Sequence, residues 1–144
     1  MTAAAAVRAF NILLVEDDPG DTLMVEEALT DRGVNHELHV AVDGVEAMAY
    51  LRDPANPRPD LILLDLNMPR MDGREVLSAL KADPRLLSIP VVVLTTSEAP
   101  DDVLYSYTLH ANAYVSKPVD FEAFTEVIHR IDDFYLGLVR LPRR

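Results

Sequence analysis

Short apolar runs punctuate this chain at Phe10 to Val15, Leu61 to Leu64, Val91 to Leu94 and Ala113 to Val115. The first two are continuous rather than alternating. That pattern suits strands buried on both faces, as in a parallel sheet covered by helices. His36 to Ala41 alternates instead, setting His36, Leu38 and Val40 against Glu37, His39 and Ala41, and reads as a more exposed edge strand.

Helical segments fall between the runs. Asp18 is an N-cap placed before Pro19 at the first helical position. Leu23, Val25, Ala28 and Leu29 then recur at helical spacing until Gly33, a stop signal. A second helix is expected over Val45 to Leu51, opened by Asp43, and a third over Gly73 to Ala82, closed before Asp83 and Pro84. A fourth is expected over Ala99 to Leu109. The fifth and longest is expected over Phe121 to Leu138, with Phe124, Val127, Ile128, Ile131, Phe134 and Tyr135 along one side. Strand and helix thus alternate five times, which implies parallel strands joined by right-handed crossovers. The expected fold is α/β, a flavodoxin-like, doubly wound five-stranded parallel sheet of order 2-1-3-4-5 with five helices. Residues 1–9 read as an N-terminal tail and 10–144 as a single domain. The proline-rich stretch from Asp53 to Pro59 reads as a surface loop.

Composition narrows the function. The formal charge of −11 opposes nucleic-acid binding, because a duplex would be repelled at long range. Arg140, Arg143 and Arg144 near the C-terminus read as helix-end and solubility charges. With no cysteine, disulfides, thiolate metal sites and a cysteine nucleophile are excluded together. No apolar run approaches the roughly 20 residues of a membrane span, and Met1 to Ala6 is too short for a signal-peptide core. A cytoplasmic location away from membranes is expected.

In open α/β sheets, ligands bind beyond the carboxyl ends of the strands, near the point where strand order reverses. The residues following the apolar runs are Glu16, Asp17 and Asp18; Asp65; Thr95, Thr96 and Ser97; and Ser116 and Lys117. Acids from two strands, hydroxyls from a third and an amine from a fourth are thereby expected along one edge. Any one of them alone reads as a cap or loop residue, Asp18 above all. Their joint position at strand ends favours a site. Close carboxylates repel unless a cation lies between them, and an oxygen-only donor set suits Mg²⁺. An ammonium and a cation neutralise a transferring phosphoryl group. A carboxylate can be its nucleophile, forming an acyl phosphate, and a hydroxyl can hold one phosphoryl oxygen. His36, His39, His110 and His129 have no mutual metal-ligand spacing, and no glycine-rich phosphate loop is present.

The segments Ile12 to Asp18 (ILLVEDD), Pro59 to Gly73 (PDLILLDLNMPRMDG), Pro90 to Thr95 (PVVVLT) and Ala113 to Pro118 (AYVSKP) resemble the receiver domains of response regulators in bacterial two-component systems. The resemblance runs from Asn11 to about Ile131. It implies that Asp65 is the phosphoacceptor, that Asp17, Asp65 and the backbone carbonyl of Asn67 ligate Mg²⁺, and that Glu16 does so through water. It further implies that Lys117 pairs with the phosphoryl group, that Thr95 is the switch hydroxyl, and that Tyr114 turns inward when Thr95 moves. The implied mechanism is phosphotransfer from a sensor histidine kinase, hydrolysis of the acyl phosphate, and readout on the face made by the fourth helix, fifth strand and fifth helix. Thr96 and Asn112 depart from the family's usual small residue and glycine.

The stretch Ile131 to Pro142 extends past the usual end of the domain and looks like the small, output-less regulators associated with bacterial phytochromes. Such regulators pair through the readout face. Tyr135, Leu138 and Val139, with Phe134 and Leu141, could cover a partner in a homodimer or their own core. A competing reading, a phosphatase of the haloacid dehalogenase type, needs an acid two residues after the nucleophile. Asn67 stands there and cannot be a general acid.

Overall fold

A computed structural model describes residues 10–30, 36–68, 70–95, 111, 113–118 and 120–134. Strands β1 (Phe10–Val15), β2 (His36–Ala41), β3 (Leu61–Leu64), β4 (Val91–Thr95) and β5 (Ala113–Ser116) form one sheet of order β2-β1-β3-β4-β5. Every pairing is parallel. The described helices are α1 (Pro19–Thr30), α2 (Gly44–Arg52), α3 (Gly73–Ala82) and α4 (Phe121–Asp132). Four helices are therefore seen among the described residues. The helix expected over Ala99 to Leu109, the stop at Gly33 and the continuation of the last helix to Leu138 lie outside them.

Period-two alternation along the strands splits the core into two layers. Leu13, Val15, Ile62, Leu64, Val91 and Val93 face α2 and α3, where they meet Ala47, Met48, Val76, Leu77 and Leu80. Ile12, Leu14, Leu61, Leu63, Val92 and Leu94 face the other way, against Val25, Ala28 and Leu29 of α1 and Phe124, Ile128 and Ile131 of α4. β3 and β4 are buried at every position because both of their faces carry helices. β2 lies at the sheet edge and is only partly covered.

The helix starts follow from side chains competing for the first free N–H groups. Asp18 Oδ1 accepts from the N–H of Gly20 (2.9 Å) before α1, and Asp43 accepts from the N–H of Glu46 before α2. Asp72 and Glu75 complete a reciprocal capping box on α3, and Asp120 caps α4. The imidazole of His129 hydrogen-bonds the carbonyl of Ala28 at 2.9 Å, tying α4 to α1. No described helix is long and apolar enough to cross a membrane.

Candidate functional site

The backbone ladder continues one residue beyond β1, β3 and β5, and this rigid margin carries the site. The N–H of Glu16 donates to the carbonyl of Ala41 (2.9 Å), that of Asp65 to Val15 (3.0 Å) and that of Lys117 to Thr95 (2.9 Å). Glu16, Asp65 and Lys117 are thus fixed by sheet hydrogen bonds although they belong to loops. Glu16, Asp65 and Thr95 are buried, whereas Asp17 is exposed.

Lys117 is the hub. Its Nζ lies 2.6 Å from Glu16 Oε1, 2.8 Å from Asp21 Oδ2 and 3.3 Å from Asp65 Oδ2, with its side chain only 6% exposed. Asp65 Oδ1 accepts from the N–H of Asn67 (3.2 Å), and the Asn67 side-chain amide donates to Thr95 Oγ1 (3.3 Å). Tyr114 is half-buried on β5, beside the core layer of α2 and α3.

One ammonium faces an excess of negative charge. Burial is the main influence on Glu16 and pushes its carboxyl up to about 7; the Lys117 hydrogen bond opposes this and the Asp65 charge adds to it. Burial by itself would lower Lys117. The hydrogen bonds to Asp21 and Glu16, with the charges of Asp65 and Glu16, outweigh it and hold the ammonium above its ordinary value. Carboxylate oxygens of Glu16, Asp17 and Asp65 lie within 4.8 Å of one another. A compact, oxygen-only cluster with uncompensated charge fits a hard divalent cation.

Glu16, Asp17, Asp65, Thr95 and Lys117, expected from their strand-end positions, all lie at this edge, joined by Asn67. Tyr135, Leu138 and Val139 lie outside the described residues. Asp21 escaped the sequence reading: an acid in the first turn of a helix ordinarily serves the helix dipole, and only the fold brings it to Lys117. A cleft of about 210 Å³, lined by Tyr50, Arg58, Arg85, Leu86 and Ile89 among others, lies before β3 and β4, at the opposite end of the strands.

Residues 12–129 match the family model of the response regulator receiver domain. The chain belongs to that family. Response regulator Rcp1 of Synechocystis sp. is 47% identical over 135 residues, covering 91% of this chain and 92% of the relative. A crystal structure of the phosphorylated cyanobacterial phytochrome response regulator RcpA matches with a TM-score of 0.91 at 46% identity, covering 94% of this chain and 100% of that one. The Mn²⁺-bound form of Rcp1 matches with a TM-score of 0.88 at 46% identity, covering 93% and 99%. As a receiver domain, the chain is a two-component signalling protein of the kind that works with histidine kinases.

Proposed function

We propose that this receiver domain accepts a phosphoryl group from a sensor histidine kinase onto Asp65 and signals through a change of its surface. The observation that carries this reading is the setting of Asp65: a carboxylate 7% exposed, with one oxygen 3.3 Å from the Lys117 ammonium and the other held by the Asn67 N–H. A carboxylate so fixed is poised as a nucleophile rather than as a solvated loop acid.

An oxygen of Asp65 attacks phosphorus, the new P–O bond forms as the P–N bond of the phosphohistidine breaks, and the kinase imidazole departs with the electron pair. Lys117 is within reach to stabilise the charge on the phosphoryl oxygens. Mg²⁺ would be held by Asp17, Asp65 and the carbonyl of Asn67, with Glu16 reached through water, and would screen the carboxylates from the incoming phosphoryl group. Thr95, fully buried and joined to Asn67, is the hydroxyl that would turn to a phosphoryl oxygen, with Tyr114 following. Hydrolysis of the acyl phosphate resets the module, which is not a turnover enzyme.

The likeness to the cyanobacterial phytochrome response regulator RcpA supports a bacterial phytochrome as the kinase partner. The apolar residues Tyr135, Leu138 and Val139 support a homodimer through the face of segment 99–109, β5 and the C-terminal helix. Incubation with acetyl phosphate and Mg²⁺ is expected to give an acid-labile mass increase that Asp65→Asn abolishes. Labelling of the variant at the parent's level would reject Asp65 as acceptor.

A further inference from the structure

The loop between β3 and α3 carries Asn67, whose backbone carbonyl is the cation ligand of the reading above, and this loop is anchored at a second place. Arg70 has φ of 61°, the positive-φ non-glycine among the described residues. An L-residue is disfavoured there, and asparagine or glycine is the usual occupant. Its guanidinium donates through Nε to Asp43 Oδ2 at 2.7 Å, with a second nitrogen 2.5 Å from the same oxygen. Asp43 is a buried carboxylate, and its other oxygen caps α2 by accepting from Glu46. That backbone hydrogen bond is the largest influence holding the Asp43 carboxyl below its ordinary value, with the Arg70 pair acting in the same direction.

The contact extends along the backbone. The N–H of Gly44 donates to the carbonyl of Met71 at 2.8 Å, and a Cβ on Gly44 would lie 2.4 Å from that oxygen. Close approach of the loop to the α2 start therefore requires glycine. At its far end the loop closes through the N–H of Gly73 on the carbonyl of Leu66, 3.0 Å. Between these fixed points, an unfavourable φ is retained at a residue whose side chain reaches the α2 cap. Outliers of this kind persist only where surrounding contacts over-determine them, and they cluster at functional sites.

We propose that Arg70 is a positioning residue for the divalent-cation site, acting through Asp43 to hold the loop so that the Asn67 carbonyl faces Asp17 and Asp65. This rests on the metal-site reading of the preceding subsection. The latch joins the cation site to α2, an element that contributes no ligand.

The test is the affinity of the full chain for Mn²⁺, read by electron paramagnetic resonance of the free ion, together with urea unfolding of the metal-free protein. Arg70→Asn and Arg70→Gly both accept the positive φ and remove the guanidinium; Asp43→Asn keeps a capping oxygen and removes the charge. Each is expected to weaken Mn²⁺ binding about tenfold, the scale of outer-shell partners, and Arg70→Asn combined with Asp43→Asn is expected to lose no more than either alone. A latch that only stabilised the fold would lower the urea midpoint and leave the affinity of the folded protein unchanged, and that result overturns the proposal. So does a fully additive double variant. Asp17→Asn separates the two readings: if it binds Mn²⁺ like the parent, the metal site itself is wrong, whereas loss in Asp17→Asn with none in the Arg70 variants refutes the latch alone.

Discussion

His36 Nε2 lies 2.8 Å from Asp132 Oδ1, with both side chains 5% exposed, joining the first residue of the edge strand β2 to the last residue of α4. The two are 96 residues apart. The contact sits at the amino end of the strands, away from the acidic cluster, so it belongs to the fold rather than to phosphoryl chemistry. Asp132→Ala is expected to cost about 2 kcal/mol, the scale of losing one partner of a buried charge-assisted hydrogen bond. Urea unfolding checks this, and Mn²⁺ affinity should stay at the parent's value. A fall in affinity comparable to that of Asp17→Asn would show that the two ends are coupled.

Lys117→Met tests the hub. The substitution leaves Glu16, Asp21 and Asp65 without the ammonium they share, and stability at pH 7.5 in chelator is expected to fall by about 3 kcal/mol. A saturating divalent cation should restore part of the loss. Equal unfolding midpoints for parent and variant in chelator would mean that the carboxylates are balanced by something other than Lys117.

Glu16 sets a pH dependence in the metal-free protein. Its carboxyl titrates at about 7 in the fold and at the ordinary 4.5 when unfolded, so between these values the folded state holds a proton that the unfolded state has lost. Stability from this group is therefore present below 4.5 and declines as pH rises through 7. Asp43, held below its ordinary 3.8, acts in the opposite sense and in a lower range. In chelator, the urea midpoint is expected to be higher at pH 5.5 than at pH 7.5, and Glu16→Gln should flatten that difference. An identical slope in the variant would assign the effect to another group.

Gly73→Ala probes how closely α3 is set against the site. A Cβ there would lie 2.3 Å from the carbonyl oxygen of Asp65 and 2.6 Å from the Cα of Leu66, and neither backbone atom can yield as a flexible side chain would. The expected cost is about 3 kcal/mol of stability. Displacement of Asp65 should slow labelling by acetyl phosphate on the order of a hundredfold. A variant labelled at the parent's rate would show that the loop absorbs the methyl group without moving Asp65.

Much of this architecture was legible in the chain because its signals are local. Continuous apolar runs mark strands covered on both sides, and Asp18 and Asp43 stand where helices begin. The third helix has the predicted bounds, Gly73–Ala82, and the second gains one residue at each end, where capping groups rather than periodicity set the limits. Chemistry-bearing residues were recognisable for the same reason: in a parallel sheet, the residue after each strand points to one common edge.

What the chain could not disclose are contacts made between elements. Asp21 reads as a helix-dipole acid until α1 packs against α4 and β2 and brings it to 2.8 Å from Lys117. Nothing in the sequence around Arg70 marks it until the fold, with a positive φ at this residue, sets the guanidinium on Asp43. His36 reads as an edge-strand residue until α4 delivers Asp132 to it. Local sequence determined the strands, the caps and the identity of the acids, because hydrogen bonding within a turn and burial along a strand depend on near neighbours. Which charge meets which was decided only by tertiary packing, since those distances depend on how helices settle on the sheet, and no short stretch of chain encodes that.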